Sequence, residues 1–154
     1  MSTSRDTAYD GPQELHHEVE SRLRTVGQRY TRNRRDVVEV LVGAARPLSL
    51  PELLDEGAHL SQSSTYRNLK VLEDAGVVRR LVHGSEHARF ELSEDLTDHH
   101  HHLVCEGCGV IDDIELDATV EAALERSLAA VAAAHGFHAR HHGVDLFGLC
   151  ASCA

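Results

Sequence analysis

Two Cys-x-x-Cys pairs, Cys105 with Cys108 and Cys150 with Cys153, constrain this chain most, and the first follows directly on a run of four histidines, His99 to His102. Four thiolates suit the closed tetrahedral site of a structural zinc. The 41 residues between Cys108 and Cys150 exceed the loop of a simple zinc ribbon, so the metal ties the end of the chain back to the start of a second folding unit. Redox-active dithiols are the competing reading, but they want a thioredoxin-like strand and helix that the surrounding sequence does not offer. The histidines run into an expected strand, where side chains alternate faces. His99 and His101 then point one way and His100 and His102 the other, so one tetrad serves two further metal sites. Each pair needs a carboxylate or another imidazole to complete it. The nearby acids are Glu91, Asp113, Glu115 and the helical pair Glu121 and Glu125, while His141 and His142 lie just before Cys150.

A chain of 154 residues holds one domain or two small ones, and two small ones need a metal or a partner to supplement modest cores. No apolar run reaches transmembrane length and the N-terminus is polar. The expectation is therefore a cytoplasmic protein without a membrane partner, a compartment in which paired cysteines are metal ligands rather than disulfides. The net charge of −10 argues against nucleic acid until it is located. Residues 1–92 carry 13 Lys and Arg against 14 Asp and Glu, whereas residues 93–154 carry 2 against 11. Within the neutral half, residues 21–35 hold six arginines and no acid (Arg22, Arg24, Arg29, Arg32, Arg34, Arg35). Such a patch is either a solvated helical face or a footprint for phosphates.

Periodicity predicts four helices in that half. Leu15, Val19, Leu23 and Val26 recur at helical spacing between Pro12 and Gly27; Val37, Val38, Leu41 and Val42 do so after a capping Thr31. Ser49 and Glu52 form a capping box for a short helix over 50–56, and Ser61 or a neighbour caps a fourth over 62–75. On the fourth, Leu69 and Leu72 face inward with Tyr66 or Thr65, leaving Ser63, Ser64, Arg67 and Lys70 outside. Residues 79–92 alternate around His83-Gly84-Ser85-Glu86 and read as a hairpin. Helices followed by a hairpin make a winged helix-turn-helix, whose last helix fits a major groove. Residues 93–98 are acidic and unpatterned and read as a hinge. Beyond it come strands over 101–104, 110–116 and about 144–149. Between the last two, a helix over 118–134 carries Val120, Leu124, Leu128 and Val131 as an apolar stripe suited to packing on a small sheet.

These residues resemble the ferric uptake regulator (Fur) family of bacterial metal-responsive repressors. The resemblance rests on Gly27-Gln28-Arg29-Tyr30-Thr31-Arg32-Asn33-Arg34, Ser64-Thr65-Tyr66-Arg67-Asn68-Leu69, Leu72 to Val78, Phe90-Glu91-Leu92, His99 to Cys108, His135-Gly136-Phe137 and Phe147-Gly148-Leu149-Cys150. It implies an α+β fold with a winged-helix DNA-binding domain over 1–92, a hinge over 93–98 and a small metal-binding α/β dimerisation domain over 99–154. It also implies a homodimer on double-stranded operator DNA. The family pattern places Tyr66 and Arg67, with Ser64 and Thr65, at bases and backbone of the major groove, Arg29 in the minor groove and Arg34 on a phosphate. Cys105, Cys108, Cys150 and Cys153 match its structural zinc ligands. His99, His101, Glu121 and His142 match its dimerisation-domain metal site, with Glu125 the alternative to Glu121. Glu91, His100 and His102 match its interdomain sensory site. There the chain departs from the pattern, because Pro47 stands where many members have a histidine. The missing ligand is then expected from His87 or His83 in the wing, or from His59. No fifth cysteine is present for a thiolate-containing sensory site.

The function expected is metal-dependent repression of metal-homeostasis genes, with Zn2+ as structural metal and Zn2+ or Fe2+ as regulatory metal. Zinc sensing leads, followed by iron, nickel or peroxide responses, since ligand type does not choose among them. A zinc-stabilised buffering protein that never touches DNA is the competing class. Catalysis and a small-molecule substrate are not expected: the sequence has no His-Glu-x-x-His, no zinc-deaminase signature and no nucleophile elbow.

Overall fold

The computed structural model describes residues 11–82 and 88–154. Pro12 opens α1 (Pro12–Thr25), which buries Leu15, Val19 and Leu23. Thr31 caps α2 (Arg32–Ala44) by accepting from the Arg34 N–H, and Val37, Val38 and Leu41 form its inner face. The capping box of Ser49 and Glu52 is formed at the start of α3 (Leu50–Glu56). Ser61 occupies the N-cap position of α4 (Gln62–Asp74), but its side chain makes no capping hydrogen bond. Gly76, at φ +70°, ends that helix in the left-handed conformation a side chain resists.

Strands β2 (Val78–Leu81) and β3 (Arg89–Leu92) pair antiparallel as the wing. A two-residue strand, β1 (Leu48–Ser49), joins the far side of β3 in the order β1-β3-β2. The sequence carries too few residues there to show a strand. All four β3 residues are buried, Phe90 and Leu92 in one core with the inner faces of the helices. The acidic stretch expected to be unpatterned contains a 3-10 turn, Glu94–Leu96. Leu96 is buried in the winged-helix core, and Arg22 of α1 holds the turn by pairing with Asp95 at 2.7 Å and donating to the Gly76 carbonyl.

The second sheet has the order β5-β4-β6, formed by β4 (His101–Cys105), β5 (Ile111–Ile114) and β6 (Asp145–Gly148). β4 pairs antiparallel with β5 and parallel with β6, which sets His102 opposite both Asp113 and Asp145. Asp117 caps α5 (Ala118–Ala134) by accepting from the Thr119 N–H. The expected packing of α5 on the sheet does not occur: none of its 17 residues is buried, and Val120, Leu128 and Val131 are exposed. Leu146, Phe147 and Leu149 on and after β6 are exposed as well. Beyond residue 98 only Val104, Cys105 and Ile111 join the buried hydrophobic residues. Three short strands cannot cover such a helix, so this unit has almost no core of its own. No helix among the described residues is long and apolar enough to cross a membrane.

Candidate metal centres and nucleic-acid face

The tight turn after β4 brings Cys105 and Cys108 against the chain end. The ligand atoms of Cys105, Cys108, Cys150 and Cys153 all lie within 4.8 Å of one another, and all four cysteines are free. Gly107 is required there, because a Cβ would stand 2.9 Å from the Cys153 Cβ and 3.0 Å from its Sγ. N–H groups of Cys150, Cys108 and Gly107 hold the Cys105 thiol down at about 6, whereas its three sulfur neighbours push Cys153 up to about 12. Four sulfurs gathered so closely, one of them inclined to ionise, are what a divalent cation completes, and the cluster fits structural Zn2+.

Strand alternation separates the histidines as expected. On one face His99, His101, Glu121 and His142 converge, again within 4.8 Å. His101 Nε2 lies 2.9 Å from Glu121, His99 Nε2 3.1 Å and His142 Nε2 2.7 Å. Glu121 is the α5 carboxylate that this cluster includes, and Glu125 is not among its members. Glu121 Oε1 and His142 Nε2 are buried without a hydrogen bond of acceptable geometry despite their approach. That arrangement suits donors aimed at a common ion rather than at each other.

On the other face Glu91 of β3 meets His100 and His102, whose Nε2 atoms lie 3.2 and 3.1 Å from its Oε2. The fourth member is Asp113, which β5 places across from His102; its Oδ1 is buried and without a hydrogen-bond partner. Asp113 is one of the nearby acids that the sequence offered, and it lies in the second unit rather than in the winged helix. His59 instead pairs with Asp36 at 3.5 Å and belongs to neither cluster. His83 and His87 lie outside the described residues. Pro47 is buried just before β1. Burial would raise Glu91, but His100, His102 and Arg79 outweigh it and hold its carboxyl well below the usual range. The bond to Glu91 raises His100 to about 9, and His102 moves up for the same reason against its burial. Burial raises the Asp113 carboxyl. Two imidazoles and two carboxylates with one orphaned oxygen fit a divalent cation. Arg79 on β2 fixes the unused Oε1 of Glu91, and Asp145 stands 3.0 Å from His102 Nδ1. Such outer partners orient ligands, and sequence spacing alone did not reveal them.

The outer side of α4 presents Gln62, Ser63, Tyr66 and Arg67 beside Leu50 of α3. Tyr66 is 60% exposed and Arg67 is free of acidic partners among the described contacts. Thr65 does not belong on this face. At 1% exposure it is buried, because the 3.6-residue period puts it in phase with Leu69 and Leu72, so its side chain cannot reach a groove. Ser64 is half-buried and accepts from Asn68 at 3.3 Å. Arg34 reaches Asn68 of α4, Gln28 and the Arg29 carbonyl, so it fastens the Arg29 loop to α4. Arg29, Arg32 and Arg35 are exposed.

A winged helix carried on a cysteine-knuckled α/β unit, with two histidine and carboxylate clusters, defines a metal-responsive DNA-binding regulator. The chain belongs to the Ferric uptake regulator family, whose model matches residues 25–147. It is 31% identical over 145 residues to the peroxide operon regulator of Bacillus subtilis (strain 168), covering 90% of this chain and 94% of that protein. Among solved structures, the Vibrio cholerae ferric uptake regulator superposes with a TM-score of 0.66 at 28% identity, covering 85% of this chain and 98% of that one. The ferric uptake regulator of Pseudomonas aeruginosa with manganese gives 0.66 at 25% identity, covering 85% and 96%. Members of this family are transcriptional regulators, and the chain is not an enzyme.

Proposed function

We propose that this protein is a homodimeric repressor that binds double-stranded operator DNA when a divalent metal occupies the cluster of Glu91, His100, His102 and Asp113. The observation that carries this reading is the origin of those four residues. Glu91 belongs to the wing, and the other three belong to the second sheet or its approach. A bound cation there supplies two positive charges shared by both units, favouring one placement of the winged helix over others. Without it, His100 carries its own proton against Glu91, a pairing that lacks the directional demands of a coordination sphere. A few kcal/mol of preference is enough to make a minor DNA-competent state dominant.

The regulatory ion is Fe2+ or Zn2+. Imidazole content favoured zinc in the sequence, but the cluster has two carboxylates and no thiolate, a set that suits Fe2+ better. The three-histidine cluster with Glu121 is the better zinc site. The similarity to a peroxide operon regulator supports a peroxide response as the second reading, because an Fe2+ site is the one that peroxide can oxidise. The exposed apolar residues of α5 and β6 support dimerisation through the second unit, and a repressor of this kind works in the cytoplasm, where bacterial operators lie. On DNA, α4 enters the major groove with Tyr66 and Arg67 foremost, and Arg29 and Arg32 flank it.

Arg67→Ala tests the reading against the buffering alternative. It should lower operator affinity at least tenfold while leaving bound metal per chain unchanged, measured by fluorescence anisotropy and elemental analysis. Unchanged DNA binding would favour the buffer.

A further inference from the structure

A line of charged groups runs between the two histidine clusters without belonging to either ligand set. Glu94, on the 3-10 turn, contacts Nδ1 of His99 through Oε1, while Nε2 of the same ring faces Glu121 at 3.1 Å. Its other oxygen stands 3.9 Å from Nη1 of Arg79. Arg79 in turn donates from Nε to Oε1 of Glu91 at 2.9 Å, leaving Oε2 to His100 and His102. The Glu94 and Glu91 side chains are only 14% and 6% exposed, so solvent screens the line weakly. The neighbours of Glu94 pin the turn to the winged helix through buried Leu96 and the pair of Asp95 with Arg22.

We propose that Glu94 and Arg79 are positioning residues through which metal at one cluster strengthens metal binding at the other. The inference rests on reading both clusters as divalent-metal sites. A cation at Nε2 of His99 fixes the proton on Nδ1 and makes that N–H a stronger donor, which locks Glu94 into the contact it already makes. With Glu94 held by His99, Arg79 is kept on Glu91, and that carboxylate stays with Oε2 toward His100 and His102. A donor already in place binds more tightly than one that must be ordered. Linkage makes the effect reciprocal. Repulsion between two bound cations acts in the opposite sense, and it is what remains once Glu94 loses its charge.

The test is a Zn2+ titration of the full chain without DNA, against a chelator too weak to strip the cysteine site. It compares wild type, His142→Ala, Glu94→Gln and the double variant. His142→Ala disables the Glu121 cluster, so the remaining affinity reports the Glu91 cluster. In the wild-type background that loss should weaken the Glu91 cluster several-fold; in the Glu94→Gln background it should not weaken it at all. A His100→Ala background isolates the other cluster, where Glu94→Gln should cost about tenfold, the usual scale for an outer carboxylate. Equal effects of His142→Ala in both backgrounds would overturn the proposal. Arg79→Gln, run in the same way, supplies a second arm should Glu94→Gln unfold the turn, which circular dichroism and one retained zinc per chain would reveal. Because no DNA is present, failure here leaves the repressor reading to the Arg67→Ala experiment.

Discussion

Glu91 receives His100 and His102 on one oxygen and Arg79 on the other, in a pocket where an unpaired carboxylate would be costly. Its ionisation therefore depends on its neighbours, and theirs on it. In the metal-free protein His100, raised to about 9, stabilises the fold fully below its ordinary value near 6.5. That contribution is lost as pH rises through about 9, because the proton then leaves the folded state. NMR titration of chelator-treated protein should place the His100 transition near 9, and Glu91→Gln should return it toward the ordinary range. A transition at the ordinary value in the parent protein would remove Glu91 as the cause. At this scale the cysteine tetrad and the two faces of the histidine run are legible in the sequence, since both follow from local spacing. Which of the nearby acids joins His100 and His102 is not, because only the register of β4 against β5 sets Asp113 opposite His102. Thr65 was misplaced for a related reason: one step of helical phase separates a groove contact from a core residue.

Among the elements, α1 to α4 could be read from caps, glycines and apolar spacing because those signals are local and agree with the packing. The stripe on α5 could be read equally well, but not what covers it. Val120, Leu128 and Val131 remain exposed, as do Leu146, Phe147 and Leu149 on and after β6. Burying such side chains is worth about 1.5–3 kcal/mol each, which makes an uncovered set a strong drive toward a second copy. Leu128→Asp should shift the protein from dimer to monomer in sedimentation at micromolar concentration and weaken operator binding at least tenfold. A dimer that survives this change and a matching Val131→Asp would place the interface elsewhere. Arg89 ties the two units by another route. Its buried guanidinium pairs with Glu52 of α3 and donates to the Gly109 carbonyl beside the cysteine knuckle. No periodicity shows a contact of this kind, which depends on two loops meeting in space.

The whole molecule divides its labour along the charge asymmetry. A neutral half with a real core and exposed arginines is mounted on an acidic half whose buried hydrophobic core is nearly absent. In such a scaffold, a bound metal would supply cross-links that packing does not. Operator affinity should also fall steeply with salt, as phosphate contacts release counterions. The protein, keeping its structural zinc, is titrated onto operator DNA by fluorescence anisotropy with Fe2+ under anaerobic conditions, with Zn2+, and with chelator, in parent and His102→Ala forms. The account predicts at least tenfold tighter binding for the metal-loaded parent and no metal response in His102→Ala. Equal affinity with metal and with chelator in the parent protein would contradict it.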